Sequence, residues 1–307
     1  MPQRIAAIDF GTNTARLLIA DLFDNDRFEQ VALKRTIVRL GGGFSREAGL
    51  ADGAILRAQA CLYDFAATIR EHQVDTVRAV ATSAVRDAVN GPAFIERMTT
   101  ETGIRLGVID GLTEGAVTLT GVLSGLDQQP EELLMFDVGG GSTEYTLARG
   151  NRPFFVYSLP LGVVRLTEGK GDPAAMIDKI SRELDVLEQQ MSVAGITAVP
   201  DALLVGTAGT ATTLAAISLK MSEYDYRKVN NHQLEKQEIQ RIYDLLLPLS
   251  PEQRLAIAGL EKGREDLIIA GSLITLLTME RFGCTSMKVS DFGLLEGLVV
   301  TARGERV

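Results

Sequence analysis

RIAAIDFGTNT (Arg4–Thr14) and LLMFDVGGGST (Leu133–Thr143) are two versions of one phrase. Each opens with an apolar run that reads as a buried strand, and each run ends on Asp-x-Gly at a turn of glycine and hydroxyl residues. Asp9 and Asp137 hold the matching places. A further strand follows each turn: Ala15–Leu22 in the first copy, and Thr143–Ala148 with Phe154–Leu159 in the second. Phe28–Leu40 keeps β-branched residues and alternation, so the chain is expected to begin with three antiparallel strands. A short pattern repeats easily by chance. Its weight comes from where the copies fall, near the start of each half.

Working outward, Ile55, Ala58, Leu62, Phe65 and Ile69 recur at steps of three and four, which predicts a helix with Asp52 as its N-cap. A strand over Thr76–Thr82, a helix over Ala84–Met98, a short strand over Leu106–Ile109 and a helix over Glu114–Leu126 follow, with Thr113 near the last helix's N-cap. The polar segment LDQQPEE (Leu126–Glu132) reads as the boundary between domains 1–126 and 127–307. In the second half Ile177, Ile180, Leu184, Leu187 and Met191 mark a helix over Pro173–Met191. Ala202–Val205 reads as a strand running into Gly206–Thr210 and a helix start. Helices near Glu235–Leu247, Pro251–Ala258 and Arg264–Phe282, a strand at Met287–Val289 and a helix from Gly293 complete the reading. The fold class is α/β in two domains.

The net charge of −9 argues against a nucleic-acid coat or a binder of anionic membranes, since both need a basic surface. An anionic substrate remains compatible, because a few arginines act locally; the site is then expected to be positive within an acidic surface. Cys61 and Cys284 form neither a disulfide framework nor a CxxC metal site, and His72 and His232 cannot make a multi-histidine zinc centre. The apolar stretch Leu267–Met279 is shorter than the ~20 residues that span a bilayer. No signal peptide is read at the N-terminus, so a cytoplasmic protein is expected.

Turns rich in glycine expose backbone N–H groups and form anion-binding concavities. Gly139, Gly140 and Gly141 suit this, with hydroxyls from Ser142 and Thr143. Thr12, Asn13 and Thr14 offer the same in the first copy, and Gly209 and Thr210 sit where a helix N-terminus favours negative charge. The alternative is glycines that tight turns require. No GxxxxGK followed by Ser or Thr is present, no GxGxxG opens a helix, and no GxSxG elbow exists. Asp9, Asp137 and Glu144 would repel phosphate unless a cation intervened, which Mg2+ would satisfy; otherwise they are turn caps and a surface acid. Arg16, Arg39 and Arg86 carry guanidinium forks suited to phosphate oxygens, or else form surface ion pairs.

Six segments together resemble the exopolyphosphatase/guanosine pentaphosphate phosphatase family of the sugar kinase–Hsp70–actin superfamily. They are Ile8–Ile19, Ala81–Asn90, Asp110–Val122, Phe136–Glu144, Gly206–Ala215 and Ser290–Gly297, and they cover nearly the whole chain in the family's order. The resemblance implies two ribonuclease H-like (actin-like ATPase) domains with the active site in the cleft between them, and Mg2+-dependent hydrolysis of a terminal phosphoanhydride. It implies Glu114 as catalytic base, Asp137 and Glu144 as metal- and phosphate-binding acids, and Arg86 as a phosphate contact. Where the family often has Glu-Glu, this chain has Thr113-Glu114. A C-terminal helical domain of larger relatives is not read here, and since family dimers usually engage that domain, a homodimer stays open.

Four functions compete: an exopolyphosphatase acting on inorganic polyphosphate, a guanosine pentaphosphate phosphohydrolase, an actin-like nucleotide-binding protein or kinase, and a silent sensor. The loops suit the kinase reading equally well, and the resemblance, through Glu114, favours the first two; no guanine pocket is legible.

Overall fold

The computed structural model describes residues 2–24, 27–45, 47–197 and 202–303. The chain divides into two compact units, Met1–Ser124 with Gly293–Val307, and Gly125–Phe292.

In the first unit β1 (Gln3–Phe10), β2 (Thr14–Leu22) and β3 (Phe28–Ile37) are followed by α1 (Asp52–Glu71), β4 (Thr76–Ala81), α2 (Ser83–Arg86), α3 (Gly91–Thr102), β5 (Leu106–Val108) and α4 (Gly111–Gly125). The sheet order is β3-β2-β1-β4-β5. The β1–β2 and β2–β3 pairs are antiparallel, and β4 and β5 join in parallel. The run RIAAIDF lacks alternation because β1 is covered on both faces. Ala6, Ile8 and Phe10 share a core with Ala58, Leu62, Phe65 and Met98; Ile5 and Ala7 belong to another.

The second unit repeats the plan. It comprises β6 (Glu132–Val138), β7 (Thr143–Arg149), β8 (Arg152–Leu159), α5 (Val163–Lys170), α6 (Pro173–Val193), β9 (Leu203–Thr207), α7 (Ala208–Ser218), α8 (Tyr226–Val229), β10 (Gln233–Glu235), α9 (Lys236–Leu246), α10 (Pro251–Arg254), α11 (Ile268–Arg281) and β11 (Ser286–Val289). Its sheet order is β10-β11-β9-β6-β7-β8. Again two antiparallel pairs, β6–β7 and β7–β8, are followed by strands added in parallel, β9 beside β6 and then β11. The core on one face gathers Phe136, Tyr145 and Leu147 with Leu184, Leu187, Leu273 and Ile274. Among the described residues no helix is long and apolar enough to cross a membrane.

The last helix, α12 (Leu294–Val300), departs from the expected division. The sequence assigned everything after residue 126 to the second half. Instead Leu294, Leu295, Leu298 and Val299 bury against Ile5, Ala7, Leu18, Ala20 and Leu22, so α12 supplies the core on the second face of the first sheet. Glycines permit the approach: a Cβ on Gly121 of α4 would lie 1.9 Å from the Gly293 carbonyl oxygen, and one on Gly297 would lie 2.0 Å from that of Val117.

Smaller differences have local causes. The expected single helix over Ala84–Met98 is two, because Gly91 packs its Cα against the Val85 carbonyl, 2.2 Å from where a Cβ would be, and α3 starts afresh with Pro92 in its first turn. Asp52 is the first residue of α1, with Ala51 as its N-cap. The helix expected from Glu114 begins at Gly111, where the Asp110 carboxylate accepts the Thr113 amide at 2.8 Å. The helix expected from Arg264 begins at Ile268.

Candidate active site

The repeated phrase folds twice into the same hairpin. In the first, the Gly11 amide donates to the Thr14 carbonyl at 3.0 Å; in the second, the Gly139 amide donates to the Ser142 carbonyl at 2.9 Å. Register then places Asp9 opposite Arg16 and Asp137 opposite Glu144. Opposed residues of an antiparallel pair project on one face, so equivalent aspartates meet opposite charges.

Around the first turn, Asp9 Oδ2 accepts Arg16 Nε at 3.1 Å and Nη2 at 2.7 Å. The loop after β3 wraps this turn: Val38 and Arg39 donate their amides to the Asn13 carbonyl, and Gly41 donates to that of Thr12. Arg39 takes φ +44°, and its carbonyl accepts Arg57 Nη2. Thr12 and Asn13 are buried, and the Thr12 and Ser83 hydroxyls lie 2.9 Å apart. Thr14 starts β2, with its hydroxyl 3.4 Å from Asn13 Nδ2.

Glu114, in the first turn of α4, is 8 % exposed. Asp110 caps that helix, and the Thr113 amide beside its carboxylate holds the Asp110 pKa below the usual range. Arg86, at the end of α2, donates through Nη1 to the Ile109 carbonyl at 3.0 Å, with Glu114 Oε2 at 3.7 Å. The arginine expected to meet phosphate thus reaches the residue expected to act as base.

In the second unit the carbonyls of Gly139, Gly140 and Ser142 and the amide of Gly139 are committed. Gly139 accepts the Val163 amide, and Gly140 accepts those of Val164 and Arg165. Gly162 comes so close that a Cβ there would sit 2.4 Å from Gly140 and Gly141 backbone atoms. Among the described residues the amides of Gly140, Gly141 and Ser142 meet no backbone acceptor. They form the concavity expected of an anion site. The Thr143 hydroxyl is spent on the Leu161 carbonyl. Asp137 and Glu144 are 8 % and 1 % exposed, and Glu144 Oε1 accepts the Ser158 hydroxyl at 2.6 Å.

The third expected loop is built otherwise. Ala208 takes φ +60°, and the Thr207 hydroxyl donates to the Phe292 carbonyl. Gly209 is the seat of an arginine: a Cβ there would lie 1.9 Å from Arg264 Nη2. Thr210 packs its methyl against Gly271. Sequence reasoning passed over Arg264, Ser83, Ser158 and Asp110. Of these, Asp110 alone carried a local signal, an Asp three residues before Thr113 at a helix start.

A family search matches the Ppx/GppA phosphatase family over residues 18–304. Exopolyphosphatase 2 of Mycobacterium tuberculosis is 32% identical, covering 98% of this chain and 99% of its own. A bifunctional 3-dehydroquinate synthase/phosphatase of Fusobacterium nucleatum is 32% identical over 96% of this chain and 46% of its own. Among solved structures, a Ppx/GppA family member from Aquifex aeolicus superimposes with TM-score 0.81 at 33% identity over 100% of both chains. An exopolyphosphatase from Cytophaga hutchinsonii gives TM-score 0.88 at 29% identity, covering 98% of this chain and 97% of its own. The paired hairpins and repeated sheet order accord with the two ribonuclease H-like domains of that fold. With the match running from β2 to the end of α12, the chain belongs to the Ppx/GppA phosphatase family.

Proposed function

We propose that the protein is an exopolyphosphatase, which releases the terminal phosphate of inorganic polyphosphate by hydrolysis. The observation that carries the reading is the Gly139–Ser142 turn, whose three uncommitted amides adjoin the Asp137–Glu144 acid pair. Amides offer an anion donors; paired carboxylates ask for a cation. The substrate is taken from the near full-length likeness to Exopolyphosphatase 2.

Membership of a phosphatase family suggests a divalent metal, and the donors fit one. Asp137 and Glu144 are hard oxygen ligands facing one way from neighbouring strands. Among the described residues no group of three or more His, Cys, Asp or Glu gathers to enclose an ion. The pair is enough for Mg2+, which binds through one or two carboxylates and keeps waters and phosphate oxygens as its other ligands. Asp9 fits less well, since Arg16 already neutralises it. When bound, the ion would neutralise charge on the phosphate oxygens.

The chain's own residues then have distinct tasks. The Gly140, Gly141 and Ser142 amides and the Ser142 hydroxyl hold phosphate oxygens. Thr12, Asn13, Thr14, Arg16 and Arg39 serve the first turn. Water attacks the terminal phosphorus as the bridging P–O bond breaks. Glu114 takes the water's proton, giving orthophosphate and a chain one unit shorter. A carboxylate placed within reach of the attacking water is a competent general base. Arg86 orients Glu114 and offsets charge. Positioning and electrostatics supply most of the rate in phosphoryl transfer, and this set provides both.

The test is phosphate release with Mg2+ from polyphosphates of several lengths, guanosine pentaphosphate and ATP. Preferential release from polyphosphate is expected. Exclusive turnover of guanosine pentaphosphate would transfer the assignment to that substrate, and acceptor-dependent consumption of ATP would make the protein a kinase.

A further inference from the structure

Hydroxyl arithmetic at the first turn points to a residue with no role so far. Thr12 Oγ1 and Ser83 Oγ are 2.9 Å apart, and Thr12 and Ser83 are 7 % and 3 % exposed. Two hydroxyls carry two protons. One lies between the oxygens. The other, on whichever hydroxyl accepts, has no further partner among the described residues. A buried donor without an acceptor costs on the order of 1–3 kcal/mol, so the pair is incomplete as it stands. Asn13, next in the chain, is 6 % exposed, and its Oδ1 also lacks a partner among the described residues.

The surroundings fix how the pair is presented. A Cβ on Gly41 would fall 2.3 Å from Thr12 Cγ2, so the Thr12 methyl occupies the space that a side chain at residue 41 would fill. With the methyl seated there and the carbonyl bonded to the Gly41 amide, one rotamer is held and the hydroxyl turns to Ser83. Ser83 is the first residue of α2, behind the N-cap Thr82, and among the described residues its hydroxyl meets that of Thr12 alone. Arg86 lies three residues on, on the same face of that turn. A hydrogen-bond donor and a cation on one face select an anionic oxygen over a neutral one.

We propose that Ser83 is a phosphate-binding residue, which acts with Thr12 as one unit: one O–H closes the pair and the other is donated to a phosphoryl oxygen. The assignment rests on the exopolyphosphatase reading for the identity of the phosphate, though not for the chemistry of the donor.

The experiment compares Ser83→Ala, Thr12→Val and the double variant with wild type. Steady-state kinetics on polyphosphate are read beside binding of inorganic tripolyphosphate by calorimetry. A lost hydrogen bond to a charged acceptor predicts KM and Kd raised about tenfold or more in each single variant. The double variant should fall well short of the product of the single effects, and kcat and thermal midpoint should change little. A Ser83→Cys variant, close in size and a weak donor, should lie between Ser83→Ala and wild type. Unchanged tripolyphosphate affinity in Ser83→Ala overturns the proposal, as do independent, multiplying effects. If Ser83→Ala does not fold, Ser83→Cys decides by the same comparison. Should wild type fail to hydrolyse polyphosphate yet bind tripolyphosphate through Ser83, the exopolyphosphatase reading falls and the assignment of Ser83 stands.

Discussion

Arg86 Nη1 stands 3.7 Å from Glu114 Oε2 while donating to the Ile109 carbonyl at 3.0 Å. One guanidinium thus ties the end of α2, the residue before Asp110 and the first turn of α4 together. Glu114→Gln keeps the shape and removes the proposed base. Turnover should fall ~10²- to 10⁴-fold, the usual span for a general base, with tripolyphosphate affinity retained. Phosphate release and calorimetry check this; near-normal release would exclude Glu114 from proton transfer.

Arg86→Lys tests the fork. A lysine keeps the charge but cannot serve the Ile109 carbonyl, Glu114 and phosphate in one plane. Activity should drop at least tenfold although net charge is unchanged, and a steady-state comparison with Arg86→Ala reads how much of the loss is geometry. Wild-type kinetics in the lysine variant would contradict this.

The Asp137–Glu144 pair makes a prediction about metal that does not need turnover. Ligands that bind the folded state raise the unfolding temperature in proportion to ln(1 + [L]/Kd). Millimolar Mg2+ should raise the thermal midpoint of wild type and leave that of Asp137→Asn unmoved. Chelation with EDTA should abolish hydrolysis, and added Mg2+ should restore it.

Gly162 has an ordinary negative φ of −131°, so its requirement for glycine is one of space. A Cβ would strike the backbone of Gly140 and Gly141 at 2.4 Å. Gly162→Ala should therefore displace the turn that carries the open amides, raise KM and destabilise by ~1–3 kcal/mol. Urea unfolding with parallel kinetics measures both.

Asp110 links stability to pH. Its carboxyl titrates below the ordinary 3.8, chiefly because the Thr113 amide donates to it. A depressed carboxyl pKa adds stability above the unfolded value and loses it as pH falls through the folded one. Asp110→Ala should cost ~1 kcal/mol at neutral pH, as for lost N-caps generally. The gap from wild type should close as pH drops below about 4. A gap of constant size from pH 7 to pH 2 would rule out the cap as its source.

What was legible in the sequence follows physical range. Strands β1 and β6 announced themselves because burial on both faces leaves an unbroken apolar run, and the Asp-x-Gly repeat marked both hairpins. Even the Asp9–Arg16 pair could have been counted out from the turn, since Phe10 opposes Ala15 and Asp9 therefore opposes Arg16. Helix α5 escaped notice because Val163–Lys170 presents too few turns for a periodicity, and its placement depends on amides reaching back to Gly139 and Gly140. Ser83, Ser158 and Arg264 were invisible for a related reason. Their partners Thr12, Glu144 and Gly209 are brought to them by tertiary folding, and no spacing along the chain encodes that.

The interrupted course of the first unit sets an order of events during synthesis. Residues 125–292 form a continuous stretch and can collapse on their own as they leave the ribosome. The earlier 124 residues must wait with Ile5, Ala7, Leu18 and Leu22 uncovered until Leu294–Val300 emerges to lie on them. A chain ending before residue 294 would therefore hold a complete second unit and an N-terminal sheet greasy on one side, which is the form a chaperone would grip.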